Sequence, residues 1–83
     1  MDIKSELTAI LDEVLGLQGR AAGFTDDTPL LGAVPELDSM AVVAVITSIE
    51  ERFGVFLEDD ELDGATFATF GSLRRFVEDK LAG

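Results

Sequence analysis

The first apolar residues of the chain are Ile3, Leu7, Ile10, Leu11 and Val14, the spacing of one face of a helix. Asp2, Glu6, Asp12 and Glu13 fall off that stripe, and Gly16 and Gly19 are stop signals, so the pattern predicts a helix over residues 3–15. Residues 18–37 keep neither a helical nor a strand period. They hold Gly19, Gly23, Pro29, Gly32 and Pro35 and read as a long loop. A loop of that length in a small domain needs anchors. Phe24, Leu30, Leu31, Val34 and Leu37 are the candidates, and Thr28-Pro29 is a place for a single helical turn to start.

Periodicity returns after Leu37. With Val42 at zero on a helical wheel, Val45, Ile46, Ile49 and Phe53 lie within about 60° of it. Asp38 suits the N-cap, Ser39 becomes the first helical residue, and Gly54 suits the C-terminal stop. The opposite face gathers Met40, Val43, Ala44, Thr47 and Glu51, with Glu50 at its margin. Val55-Phe56-Leu57 has no partner strand and reads as a loop with buried anchors. Ala65, Phe67, Ala68 and Phe70 offer core contacts through a short third helix. Leu73, Phe76, Val77 and Leu81 define a last helix, with Thr69 or Ser72 as its cap. The expected fold is all-α and a single domain over 1–83: three main helices, a short third helix and a long first loop.

Composition narrows the function. The 83 residues carry 17 Asp+Glu against 6 Lys+Arg, a net charge of -11. That disfavours nucleic acid and anionic membranes as partners, because phosphate binding runs on Lys and Arg. No Cys and no His removes thiol nucleophiles, thiolate metal sites and the commonest general base. No apolar run approaches the roughly 18 residues that span a bilayer. The start of the chain lacks a leader pattern, so a soluble, cytoplasmic monomer is the expectation. A carboxylate enzyme would need two acids in a concave pocket, for which a small bundle leaves little room. Asp59-x-Glu61-x-Asp63-Gly64 looks like half of a calcium loop, but Phe70 stands where a bidentate Glu belongs. No metal site is expected beyond loose divalent binding by this acidic stretch.

Ser39 is the candidate for chemistry. A serine heading a helix is approachable, and the unpaired N–H groups there accept a phosphate ester. With no His and no internal Lys to activate it, such a serine would be modified rather than attack. The plain alternative is that Asp38-Ser39 only caps a helix.

Leu37-Asp38-Ser39-Met40, followed by a helix closing in Ile49-Glu50-Glu51-Arg52-Phe53-Gly54, resembles the acyl carrier protein family. Thr28-Pro29-Leu30-Leu31-Gly32 resembles the loop before that motif, and Thr69-Phe70-Gly71-Ser72-Leu73 the lead into the last helix. The resemblance implies a four-helix carrier fold without catalytic residues. It also implies 4′-phosphopantetheine on Ser39, attached from coenzyme A and Mg²⁺ by a phosphopantetheinyl transferase. Acyl groups would ride as thioesters on its thiol to acyltransferase or synthase enzymes. Asp38 matches the acid before the serine, as cap and as a contact for the transferase or its metal. The run from Val34 to Val43 also resembles free-standing carriers associated with exosortase and exopolysaccharide systems, which implies an acyl-activating ligase as loading partner.

The chain departs from the family pattern in three ways. Ala41 and Ala44 occupy early turns of the second helix where acids are usual, so the expected partner surface is Met40, Val43 and Ala44 near the arm, with Glu50 and Glu51 recruiting by charge. The competing reading packs those apolar residues under the first loop. Ala33-Val34-Pro35-Glu36 lengthens the approach to the motif, and about two residues are added near Gly64 to Phe67. Residues 36–63 hold nine acids against Arg52 alone, -8 of the net -11. That patch is either a solvated face or a lure for basic enzymes. The alternative function is an acidic helical adaptor without a prosthetic group.

Overall fold

The computed structural model describes residues 2–57 and 64–82. Its α-helices are α1 (Ile3–Leu15), α2 (Ser39–Phe53) and α3 (Phe70–Ala82). Each starts where a short polar side chain meets otherwise unpaired N–H groups. Asp2 accepts from Lys4 and Ser5, and Asp38 accepts from Ala41 at 2.8 Å. Thr69 caps α3 through a reciprocal pair: the Ser72 N–H donates to Thr69 Oγ1 and the Thr69 N–H to Ser72 Oγ, both at 3.1 Å. This is a capping box in which serine replaces the usual Glu or Gln. Gly16 and Gly54 end α1 and α2 with φ of 65° and 67°, a left-handed conformation that costs glycine little.

α1 packs against both α2 and α3. Leu7, Ile10 and Leu11 of α1 meet a core shared with Val45 and Ile49 of α2 and Phe70, Leu73 and Val77 of α3. No polar or charged residue is buried among the described residues, so the core holds together by apolar contact alone.

The long first connection is ordered by plugs and backbone bonds. A 3-10 turn at Arg20–Gly23 replaces part of the expected loop, and its Ala21 N–H donates to Asp12 Oδ1 at 3.0 Å. Leu17, Ala21, Leu30 and Leu37 are buried, and Phe24 and Val34 are half-buried. Leu31 corrects the anchor set, being 47% exposed. Nor does a helical turn start at Thr28-Pro29. Pro29 forms an isolated antiparallel bridge with Thr69. The turn comes later, where the Val34 N–H donates to Leu30 O at 2.9 Å. Around the bridge, the N–H groups of Leu30, Leu31, Phe70 and Gly71 donate to Ala68, Phe67, Thr28 and Asp26 carbonyls at 2.8–3.0 Å. Phe24 meets the Phe70 ring edge-on, with centroids 6.1 Å apart.

The short helix expected near Ala65–Phe70 is a turn over residues 64–67, and Phe70 already belongs to α3. Phe67 is buried there while Ala65 and Ala68 are exposed. Leu57 anchors the segment after α2 as expected, but Phe56 is 73% exposed. The acidic residues 58–63, proposed for loose divalent binding, lie outside the described residues. Among the described residues no cluster of acids could hold a metal ion, and no helix is long and apolar enough to cross a membrane.

Candidate functional site

The site is built on the start of α2. Buried Leu37 pins the incoming chain, Asp38 caps the helix, and Ser39 takes the first helical position. The Val42 N–H closes the first turn on Asp38 O at 2.9 Å. Ser39 is exposed, and its hydroxyl makes no hydrogen bond to the described residues. The Ser39 and Met40 N–H groups likewise find no acceptor there, whereas that of Ala41 is taken by Asp38. The geometry therefore offers a free hydroxyl beside two open donors at the positive end of a helix.

Met40 is 79% exposed and Val43 60% exposed. Ala44 is exposed as well. The reading that packs these residues under the first loop is therefore excluded. Glu51 is exposed too, beside Arg52, which reaches across to Glu6 and Glu13 of α1 at 3.0 and 3.4 Å. Glu50 is different. Its Oε2 accepts the Leu57 N–H at 2.9 Å, so it braces the chain after α2 as well as contributing charge.

Upstream, Arg20 meets Glu36 Oε2 at 2.6 Å, and this pairing holds the Glu36 carboxyl below the usual carboxylate range. Glu36 Oε1 is shut off from solvent and has no hydrogen-bond partner among the described residues. Leu17, Phe24, Pro29, Val34 and Pro35, with Ala33 and Thr28, surround a recess of about 320 Å³ edged by Arg20 and Glu36. Sequence reasoning missed this feature, because residues 16 positions apart in a loop without period give no signal of their pairing.

A family model for the phosphopantetheine attachment site matches residues 5–78. The chain belongs to that family. A holo acyl carrier protein from Nitrosomonas europaea, solved by NMR in solution, is 48% identical, covers all of both chains and superimposes with a TM-score of 0.92. The chain is thus an acyl-carrier-type protein, a carrier rather than an enzyme, whose prosthetic group is covalent 4′-phosphopantetheine.

The carrier's own residues fit that group. An exposed serine hydroxyl can be esterified without disturbing a contact, and the open N–H groups of Ser39 and Met40 suit a phosphate. Glu36 Oε1, three residues before Ser39, is an acceptor without a hydrogen-bond partner among the described residues. The arm also accounts for a sequence without cysteine: it brings its own sulfur.

Proposed function

We propose that Ser39 is the attachment residue of this carrier and that Asp38 presents it. The observation that carries this reading is the free, solvent-facing hydroxyl at the first position of α2. In the loading step Ser39 Oγ forms a phosphoester as the pyrophosphate bond of coenzyme A breaks and adenosine bisphosphate leaves. The hydroxyl proton passes to a base of the phosphopantetheinyl transferase, because this chain has no His to take it. The bound arm supplies a thiol that holds acyl groups as thioesters. Asp38 fixes the helix start and adds charge beside the serine, where the transferase and its Mg²⁺ engage.

As a carrier domain, the protein interacts with enzymes such as synthases and transferases. We assign their contact to Met40, Val43 and Ala44, with Glu50 and Glu51 steering from the far end of α2. Exposed apolar residues near the attachment point support this, since interface cores are apolar and rims charged. The Val34–Val43 run supports an acyl-activating ligase of the exosortase-associated type as loading enzyme, acting in the cytoplasm on a monomeric carrier.

The test is intact mass after incubation with coenzyme A, Mg²⁺ and a broad-specificity transferase. The wild type gains one phosphopantetheine; Ser39→Ala stays folded and gains nothing. An unmodified wild type would favour the adaptor without a prosthetic group. Once loading is shown, Met40→Asp with Val43→Asp keeps the fold, because both side chains are exposed, and raises KM with the acylating enzyme. An unchanged KM would move the docking surface elsewhere.

A further inference from the structure

The recess beside the first loop has three features that no part of the fold uses. Its walls are apolar: Leu17, Phe24, Val34 and two prolines. Its volume, about 320 Å³, is that of a site for a small organic group. At its edge Glu36 holds a carboxylate oxygen that is buried and unpartnered. Such an atom is costly to leave unsatisfied. The other oxygen pairs with Arg20, which keeps the carboxylate charged.

Chain geometry limits what can reach this place. Glu36 lies three residues before Ser39, so their Cα atoms are at most about 11 Å apart. A flexible arm tethered at Ser39 covers that span. Pantetheine also matches the recess in chemistry. It carries two amide N–H donors, a geminal dimethyl group and a cysteamine end, which is donor and apolar surface in one thread. The last torsion of a Glu side chain is soft, so a turn about it brings Oε1 to meet an entering donor. The side chain is 35% exposed, and the turn exchanges the Arg20 contact between its two oxygens.

We propose that the phosphopantetheine arm of this carrier folds back into the loop recess, with an amide N–H donating to Glu36 and its apolar groups against Phe24 and Val34. Glu36 is then a positioning residue for the arm, and Arg20 orients Glu36. The Ala33–Glu36 stretch then serves as one wall of a resting place. The proposal rests on Ser39 being the attachment site.

The experiment compares backbone amide spectra of the ¹⁵N-labelled protein before and after arm attachment, with intact mass measured on the same samples. Binding in the recess moves the amides of Leu17, Arg20, Phe24, Val34 and Glu36 and gives nuclear Overhauser contacts from the pantetheine methyls to the Phe24 ring. Ala33→Phe fills the recess; it gains the same mass, and those remote amides stay at their apo positions. Glu36→Ala leaves the recess open and removes the acceptor, so the remote shifts shrink while the mass gain persists. Shifts confined to residues 37–42 in a fully loaded wild type would overturn the inference and leave the carrier reading standing. So would methyl contacts to another face. Failure to gain mass would overturn both.

Discussion

The Gly71 N–H donates to the Asp26 carbonyl at 3.0 Å, and a Cβ built on Gly71 would stand 2.7 Å from that same oxygen. The Cβ would also meet Asp26 Cβ at 2.8 Å and Cα at 3.0 Å. Backbone atoms cannot swing aside, so glycine is required here by proximity. Arg74, one turn along α3, closes on the Asp26 carboxylate at 2.7 Å. Asp26 thus fastens the loop to α3 by backbone and side chain together.

Gly71→Ala is therefore expected to lower stability by about 1–2 kcal/mol. Overpacking costs roughly 1–3 kcal/mol, against which alanine returns up to ~1 kcal/mol of helix propensity. Urea unfolding monitored by circular dichroism checks the sign. A more stable variant would show that the loop retreats freely from α3.

Leu30 and Leu31 are adjacent and alike in sequence, but Leu30 is fully buried and Leu31 is 47% exposed. Leu30→Ala should cost about 2–5 kcal/mol, the range for a buried leucine. Leu31→Ala should stay within about 0.5–1 kcal/mol of the parent. Paired denaturation curves decide this, and equal losses would contradict the observed packing.

Asp38 has two roles that chemistry can separate. Asp38→Asn keeps a capping oxygen for the Ala41 N–H and should hold stability within a few tenths of a kcal/mol, while Asp38→Ala should lose about 1 kcal/mol. If the charge matters to the transferase, both variants load more slowly, measured by the initial rate of mass gain. Normal loading of Asp38→Asn would reduce the residue to a cap.

Acid should unfold the protein in a defined window. The Ser5 hydrogen bond lowers the Asp2 pKa, the Arg74 guanidinium lowers that of Asp26, and Arg20 lowers that of Glu36. Each carboxyl is a stronger acid folded than unfolded. Its stabilisation is therefore present above the ordinary values of 3.8 for Asp and 4.5 for Glu, and is lost as pH falls through the lower folded-state values. Between pH 7 and about 5, partial neutralisation of a chain at -11 relieves repulsion and works the other way. The thermal midpoint should hold or rise down to about pH 5 and fall below about pH 4. Asp26→Asn should flatten the acid limb.

Both principal helix boundaries were legible in the sequence. α1 spans 3–15 and α2 starts at Ser39 and ends at Phe53, because in each the 3.6 period, the acid cap and the stopping glycine agree. The expected short helix near Ala65 was not found over 64–67, since scattered alanines and phenylalanines fix hydrophobicity but no period. The exposed face of α2, with Met40 and Val43, was also legible as the side of the wheel opposite Val45 and Ile49, and the exposed serine from its place at the head of the helix.

Local order along the chain was enough to determine three helices, their caps and a hydroxyl at the head of α2, because those depend on neighbours within a turn or two. Tertiary structure alone decided which loop leucine is buried, why residue 71 must be glycine, how Glu50 braces Leu57, and that Arg20 and Glu36 frame a recess. Those facts are distances between residues 7 to 45 positions apart. They exist only once the apolar stripes have closed on one another, and no local pattern encodes them.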